Sequence, residues 1–148
     1  MEQQELQNGL SSGNDLFILL VDDNEALNFL HSKLCELNLP KAEVVSLING
    51  QLALEYLEEN ALALQAKEVL ILLDIRMPVM DGWTLLEEMN AKKIGVNHNV
   101  VMLTSSTSPS DRAKAMAYPF VMGYLEKPLR GFQLVELAMD MMGSAKNQ

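Results

Sequence analysis

The chain is poor in several features that would each have pointed to a class of protein. It has one cysteine, Cys35, in 148 residues. A lone thiol cannot close an internal disulfide, so the chain fits a reducing compartment. Basic residues are scarce: 11 Lys and Arg stand against 20 Asp and Glu, a net charge of −9. That balance speaks against a nucleic-acid binder, whose partner attracts a basic face. It leaves room for a partner with a small basic patch. Apolar runs such as Leu16–Val21 and Val69–Leu73 fall far short of the roughly 20 residues of a membrane helix. The start, Met1-Glu2-Gln3-Gln4-Glu5, is acidic and polar and is no secretory signal. Neither an internal repeat nor a Pro- or Gly-rich linker interrupts the middle. The expectation is a soluble, cytoplasmic protein of one domain.

Hydrophobic residues make up 49% and charged residues 21%, a composition that can build a sizeable core. Residues 1–14 are rich in Gln, Asn, Ser and Gly and read as a flexible arm. Residues 15–142 read as the folded domain, and residues 143–148 as a frayed tail.

Within the domain, apolar runs alternate with amphipathic stretches. Leu16–Val21 is a continuous apolar run, as in a strand buried on both faces. Glu25–Leu37 sets Leu27, Leu30, Leu34 and Leu37 at steps of three and four, a helical stripe. Further strands are expected at 43–47, 69–73, 100–103 and 121–125. Further helices are expected at 49–65, 83–93, from Ser108 to near Pro119, and at 132–142. Ser108-Pro109-Ser110-Asp111 is a helix start, with a capping hydroxyl, proline at the first position and an acid at the third. Five strands alternating with five helices imply a parallel sheet covered on both faces.

Such sheets keep their chemistry at the carboxyl ends of the strands. Here those ends carry Asp22 and Asp23, then Asp74, then Thr104, then Lys127. Close carboxylates repel unless a cation intervenes. Oxygen ligands in small number suit Mg²⁺. A hydroxyl and an ammonium beside them suit phosphoryl transfer to a carboxylate, with Asp74 as the nucleophile.

The segments Leu19-Leu20-Val21-Asp22-Asp23-Asn24, Leu72-Leu73-Asp74-Ile75-Arg76-Met77-Pro78-Val79-Met80-Asp81-Gly82, Met102-Leu103-Thr104-Ser105 and Tyr124-Leu125-Glu126-Lys127-Pro128 resemble the receiver domain of two-component response regulators. The resemblance runs from about Asp15 to Met142 and rests on four motifs in order. It implies a flavodoxin-like, doubly wound α/β fold with strand order 2-1-3-4-5 and five helices. It implies that Asp74 accepts a phosphoryl group from a sensor histidine kinase or a phosphotransfer protein. Mg²⁺ would be bound by Asp23 and Asp74, assisted by Asp22 and by the main-chain carbonyl of Arg76. Thr104 would bond the phosphoryl oxygen, Lys127 would pair with the phosphate, and Tyr124 would turn inward as Thr104 moves. The chain would act as a stand-alone switch without a separate substrate, read by an unidentified downstream protein. Homodimers through the face of the fourth helix, fifth strand and fifth helix are common in the family, and no residue here decides for one.

Blander readings stand beside these. Asp22 and Asp23 could cap the first helix, and Asp81-Gly82 reads as a turn and cap for the third. Tyr124 could be plain core packing. His31 reads as a partly exposed helix residue, His98 as surface, and Cys35 as an apolar filler. Leu62 and Leu64 read as a lid over the core or as a partner surface. A haloacid-dehalogenase-type phosphatase also uses an Asp nucleophile, but it wants a second Asp where this chain has Arg76. A docking scaffold with a dead site is disfavoured because every motif residue is present, and no loop suits FMN.

Overall fold

The structure is a computed structural model and describes residues 15–95 and 97–146. The 1–14 arm lies outside the described residues, as do the last two positions of the expected tail. Strands β1 (Asp15–Val21), β2 (Glu43–Leu47), β3 (Lys67–Leu73), β4 (Asn99–Thr104) and β5 (Val121–Glu126) form one sheet, ordered β2-β1-β3-β4-β5. Every neighbouring pair is parallel. Helices α1 (Glu25–Asn38), α2 (Gly50–Glu59), α3 (Ala61–Gln65), α4 (Gly82–Lys92), α5 (Pro109–Met116) and α6 (Gly131–Lys146) connect and follow the strands.

Within the central strands the stretches Leu16–Val21, Val69–Leu73 and Val100–Leu103 are apolar at every position because helices cover both sheet faces. Phe17, Leu19, Val21, Ile71 and Leu73 face one layer, closed by Leu54 and Leu57 of α2, Leu85 and Met89 of α4, and Ala115 of α5. The alternate residues Ile18, Leu20, Leu70 and Leu72 face the other layer, closed by Cys35 of α1 and by Leu134, Ala138 and Met141 of α6. Each such large side chain contributes roughly 1.5–3 kcal/mol by leaving water.

The sheet and its alternation match the expected fold, and three details differ. First, the expected helix 49–65 is two helices, so the described residues form six helices rather than five and the later ones move up one number. Asn60 is the break: its Nδ2 donates to the carbonyl of Tyr56 over 2.9 Å, closing the end of α2 with a side-chain bond. Leu64 then turns into the core at 2% exposure, as a lid would, while Leu62 points outward at 83%.

Second, the leucine stripe of α1 is not its buried face. Leu30 and Leu37 are 47% and 78% exposed, and the buried residues are Asn28, His31 and Cys35. Both sets repeat at steps of three and four. The helix settles on the second set because Asn28 and His31 find buried hydrogen-bond partners. His31, expected to be partly exposed, is therefore 1% exposed. Cys35 is the apolar filler expected, and burial pushes its thiol up to about 12. His98, expected at the surface, is half-buried, and burial holds its imidazole below the usual range.

Third, α6 runs to Lys146, past the expected end at Met142. The start of α5 is as expected: Ser108 accepts from the N–H of Asp111 over 3.3 Å, and Pro109 opens the helix.

The register positions the site. Val21 pairs with Leu73, so the residues that follow them, Asp22 and Asp74, leave the sheet side by side. The N–H of Asp74 donates to the carbonyl of Val21 over 3.0 Å. Helix α1 lies on one face and α4 on the other, so the chain leaves β1 and β3 in opposite directions and opens a crevice between them.

Candidate functional site

Asp22, Asp23 and Asp74 each offer a carboxylate oxygen, and these atoms lie within 4.8 Å of one another. Asp22 and Asp74 are buried, at 5% and 6% exposure, whereas Asp23 faces solvent. Lys127, from the loop after β5, reaches between the two buried acids. Its Nζ lies 2.6 Å from Asp22 Oδ2 and 2.8 Å from Asp74 Oδ2. The other oxygens are also engaged: Asp22 Oδ1 accepts from the N–H of Asn24 over 2.9 Å, and Asp74 Oδ1 from the N–H of Ile75 over 2.8 Å.

The electrostatics follow from the burial. Loss of water raises the Asp22 carboxyl above its ordinary value, and the charge of Asp74 adds to the rise. The bonds from Lys127 and Asn24 pull the other way without cancelling it. Burial works against the Lys127 charge, but its bonds to Asp22 and Asp74 outweigh that, and the ammonium is held above its ordinary value. One cation thus faces two buried anions with a third beside them. All three are hard oxygen donors, with no thiolate or imidazole among them, and that donor set fits Mg²⁺.

Around this centre the loops are tightly placed. The β3–α4 turn folds back under Asp74: the N–H of Gly82 donates to Ile75 O over 2.7 Å, and that of Gly50 to Met80 O over 2.9 Å. A Cβ on Gly82 would collide with the carbonyl of Asp74, which requires glycine there. Asp81 Oδ1 accepts from the N–H of Thr84 over 2.9 Å, the cap expected of it. Arg76 is exposed and shares a shallow depression with Asp23, Met77, Pro78 and Asp81.

Thr104 ends β4, on the strand next to that of Asp74, and is 2% exposed. Its Oγ1 accepts from the N–H of Ser106 over 3.3 Å, and its carbonyl accepts from the N–H of Lys127 over 3.0 Å. Tyr124 is 9% exposed, and its hydroxyl donates to the carbonyl of Ser106 over 3.0 Å. Ser106 in turn donates to Asp111 Oδ2 over 2.7 Å, which ties the β4–α5 loop to α5. Asp22, Asp23, Asp74 and Lys127 are therefore brought together, Thr104 and Tyr124 line the adjoining loop, and the Arg76 side chain stays outside.

Two residues support this centre that the sequence did not point to: Asn28 carried no expectation, and His31 was expected to be partly exposed. Asn28 Nδ2 donates to the carbonyl of Asp22 over 2.8 Å, while its Oδ1 is buried without a partner among the described residues. His31 Nε2 accepts from the N–H of Leu129 over 3.1 Å. Their signal was the second three-and-four spacing on α1, which leucine hydropathy masked.

Residues 18–139 match the family model described as the response regulator receiver domain. Among curated proteins, the chain is 34% identical over 127 residues to "Probable methanogenesis regulatory protein FilR2" of Methanothrix harundinacea, covering 82% of this chain and 81% of that one. It is 31% identical over 142 residues to the two-component response regulator ARR17 of Arabidopsis thaliana, covering 84% and 90%. A match to a protein-glutamate methylesterase/protein-glutamine glutaminase of Rhodospirillum rubrum spans only 22% of that longer protein. Among solved structures, a two-component response regulator from Cytophaga hutchinsonii superposes with a TM-score of 0.78 at 29% identity, covering 88% of this chain and 98% of that one.

Proposed function

The chain belongs to the response regulator receiver domain family and so to phosphorelay signalling, and from that premise we propose that Asp74 is its phosphoacceptor. The observation that carries this reading is the Lys127 ammonium, held 2.8 Å from Asp74 Oδ2 and 2.6 Å from Asp22 Oδ2 at the ends of neighbouring strands. In metal-free protein that ammonium offsets only part of the charge of the acids. When a phosphoryl group arrives, the same ammonium can turn to the new anion.

Asp22, Asp23 and Asp74 would hold Mg²⁺, with the main-chain carbonyl of Arg76 as a fourth protein oxygen. When bound, the ion supplies charge neutralisation at the phosphoryl oxygens. The donor is a phosphohistidine on a sensor kinase or phosphotransfer protein. An oxygen of Asp74 bonds to phosphorus, the phosphorus–nitrogen bond breaks, and its electron pair returns to the imidazole, which takes a proton from solvent. Lys127 holds the phosphoryl oxygens by charge. Thr104 turns its hydroxyl, now engaged by Ser106, towards a phosphoryl oxygen.

The output is a shift between two states. The phosphoryl group adds nearly two negative charges. Movement of Thr104 disturbs the Ser106 backbone, and Ser106 is bonded both to Tyr124 and to Asp111 of α5. The affected surface is therefore α5, β5 and α6, which a downstream protein would read. The phosphoryl group shifts this equilibrium only to the extent that it prefers one state.

The test is intact mass after incubation with acetyl phosphate and Mg²⁺. The wild type should gain one phosphoryl group. Asp74→Asn, and wild type with the metal chelated, should gain none. No uptake by folded wild type would overturn the reading.

A further inference from the structure

Lys127 is the group on which the proposed chemistry turns, and its backbone is pinned from two sides. Its own N–H donates to the carbonyl of Thr104 over 3.0 Å. The next residue, Pro128, has no N–H to offer. The following N–H, that of Leu129, donates to His31 Nε2 over 3.1 Å, across 98 positions of sequence. Both ends of this bond are buried, His31 at 1% and Leu129 at 2% exposure.

We propose that His31 is a positioning residue for Lys127: its neutral imidazole anchors the N–H of Leu129 and so fixes the loop that presents the ammonium to Asp74. The proposal rests on the reading of Asp74 as phosphoacceptor.

The chemistry of imidazole makes this anchor conditional. To accept at Nε2 the ring must be neutral and carry its proton on Nδ1, because an imidazolium only donates. Protonation would therefore break the bond to Leu129. The surroundings oppose protonation: burial holds the group below its ordinary value, and the Lys127 charge adds to that. The charged groups that face it are Lys127 from the β5–α6 loop and, behind that ammonium, the carboxylates of Asp22 and Asp74. On its own helix Cys35 is an uncharged thiol. Apart from Asn28 on its own helix, the layer on this side of the sheet is built of apolar side chains, among them Leu20 and Leu72 from the sheet and Leu134 and Ala138 from α6. A leucine or isoleucine would fill such a space, but it would leave the N–H of Leu129 buried without an acceptor.

The neighbouring turn of α1 supports the same assignment. Asn28, three positions before His31, holds the carbonyl of Asp22. One face of α1 thus grips both the acid corner after β1 and the loop that carries the ammonium. Rotation or displacement of α1 would move the acid and the ammonium together.

The experiment compares wild type, His31→Gln and His31→Leu in the rate of phosphoryl uptake from acetyl phosphate with Mg²⁺, across pH about 4.5–8.5, a range that reaches well below the ordinary imidazole value because burial and the Lys127 charge lower that of His31. Glutamine keeps an acceptor and does not titrate in that range. Leucine removes the acceptor. Circular dichroism establishes which variants are folded. The expected result at pH about 8 is a His31→Leu rate roughly ten-fold below wild type, the effect of a misplaced catalytic group, with His31→Gln within about two-fold of wild type. Towards acid pH the wild-type rate should fall more steeply than that of His31→Gln. The proposal is overturned if folded His31→Leu matches wild type, or if His31→Gln shows the same acid limb as wild type. It is also overturned if both variants are equally slowed at every pH, which packing alone would produce. Should His31→Leu not fold, the His31→Gln pH profile decides by itself. Failure of the phosphoacceptor reading would appear differently, as no uptake by wild type at any pH.

Discussion

Lys127 Nζ and Asp74 Oδ2 lie 2.8 Å apart although 53 positions separate them in sequence. Only the parallel sheet brings them together, since one residue follows β3 and the other follows β5. The pair is also incomplete as an ion pair, because the same ammonium serves Asp22 at 2.6 Å. The site is therefore short of positive charge.

Removing the ammonium should be costly. Lys127→Met leaves two buried carboxylates facing each other, and loss of one partner of a buried pair costs about 3–5 kcal/mol. Urea unfolding in chelator should show a loss of that order at neutral pH. The loss should shrink on acidification, as the raised carboxyl of Asp22 takes up a proton.

Divalent cation should stabilise the wild type. Burial raises the folded-state value of Asp22 above 3.8. Its favourable contribution is thus present below the unfolded value and is lost as pH rises through the folded one. At neutral pH an electrostatic cost remains for Mg²⁺ to relieve. At a hundred-fold excess over Kd the gain is about 2.7 kcal/mol. It should appear as a higher melting temperature, disappear with chelator and be much smaller in Asp74→Asn.

His31 should impose an acid-side slope on stability. Its folded value is lowered from 6.5 by burial and by Lys127. The unfolded chain therefore binds the proton first as pH falls through about 6.5, and stability declines below that point. Unfolding midpoints at pH about 7.5 and 5.5, on either side of that value, should differ more in wild type than in His31→Gln.

Val79 carries backbone strain. Its φ is +73°, a region that disfavours a branched side chain, and it is 82% exposed, so no packing compensates. Val79→Asn should raise stability by about 1 kcal/mol, read as a shift of the urea midpoint without a change in slope.

The two leucines of α3 should behave oppositely. Leu64→Ala empties a buried position and should cost about 2–4 kcal/mol. Leu62→Ala should stay within about 0.5 kcal/mol of wild type. Equal effects would remove the distinction between lid and exposed surface drawn from their burial.

The strands and the acids at their ends were legible in the sequence. A run such as Leu16–Val21 has no polar face, so only a doubly covered strand suits it, and Asp22 marks where it leaves the core. The orientation of α1 was not legible in the same way. Hydropathy favours Leu27, Leu30, Leu34 and Leu37, but the helix turns Asn28 and His31 inward because Asp22 O and the N–H of Leu129 need partners there. Those partners lie on other elements, and one of them is 98 positions away. The break at Asn60 was hidden for the opposite reason: a single side-chain bond to Tyr56 ends α2, and neighbouring alanines and leucines favour helix on both sides.

The most direct test of the central claim is to locate the phosphoryl group. Protein treated with acetyl phosphate and Mg²⁺ would be reduced with borohydride, which converts an aspartyl phosphate to homoserine, and then mapped by peptide mass. Conversion at Asp74 alone is expected. Conversion at another acid, or a phosphoryl group found on a hydroxyl or imidazole with Asp74 unchanged, would contradict it.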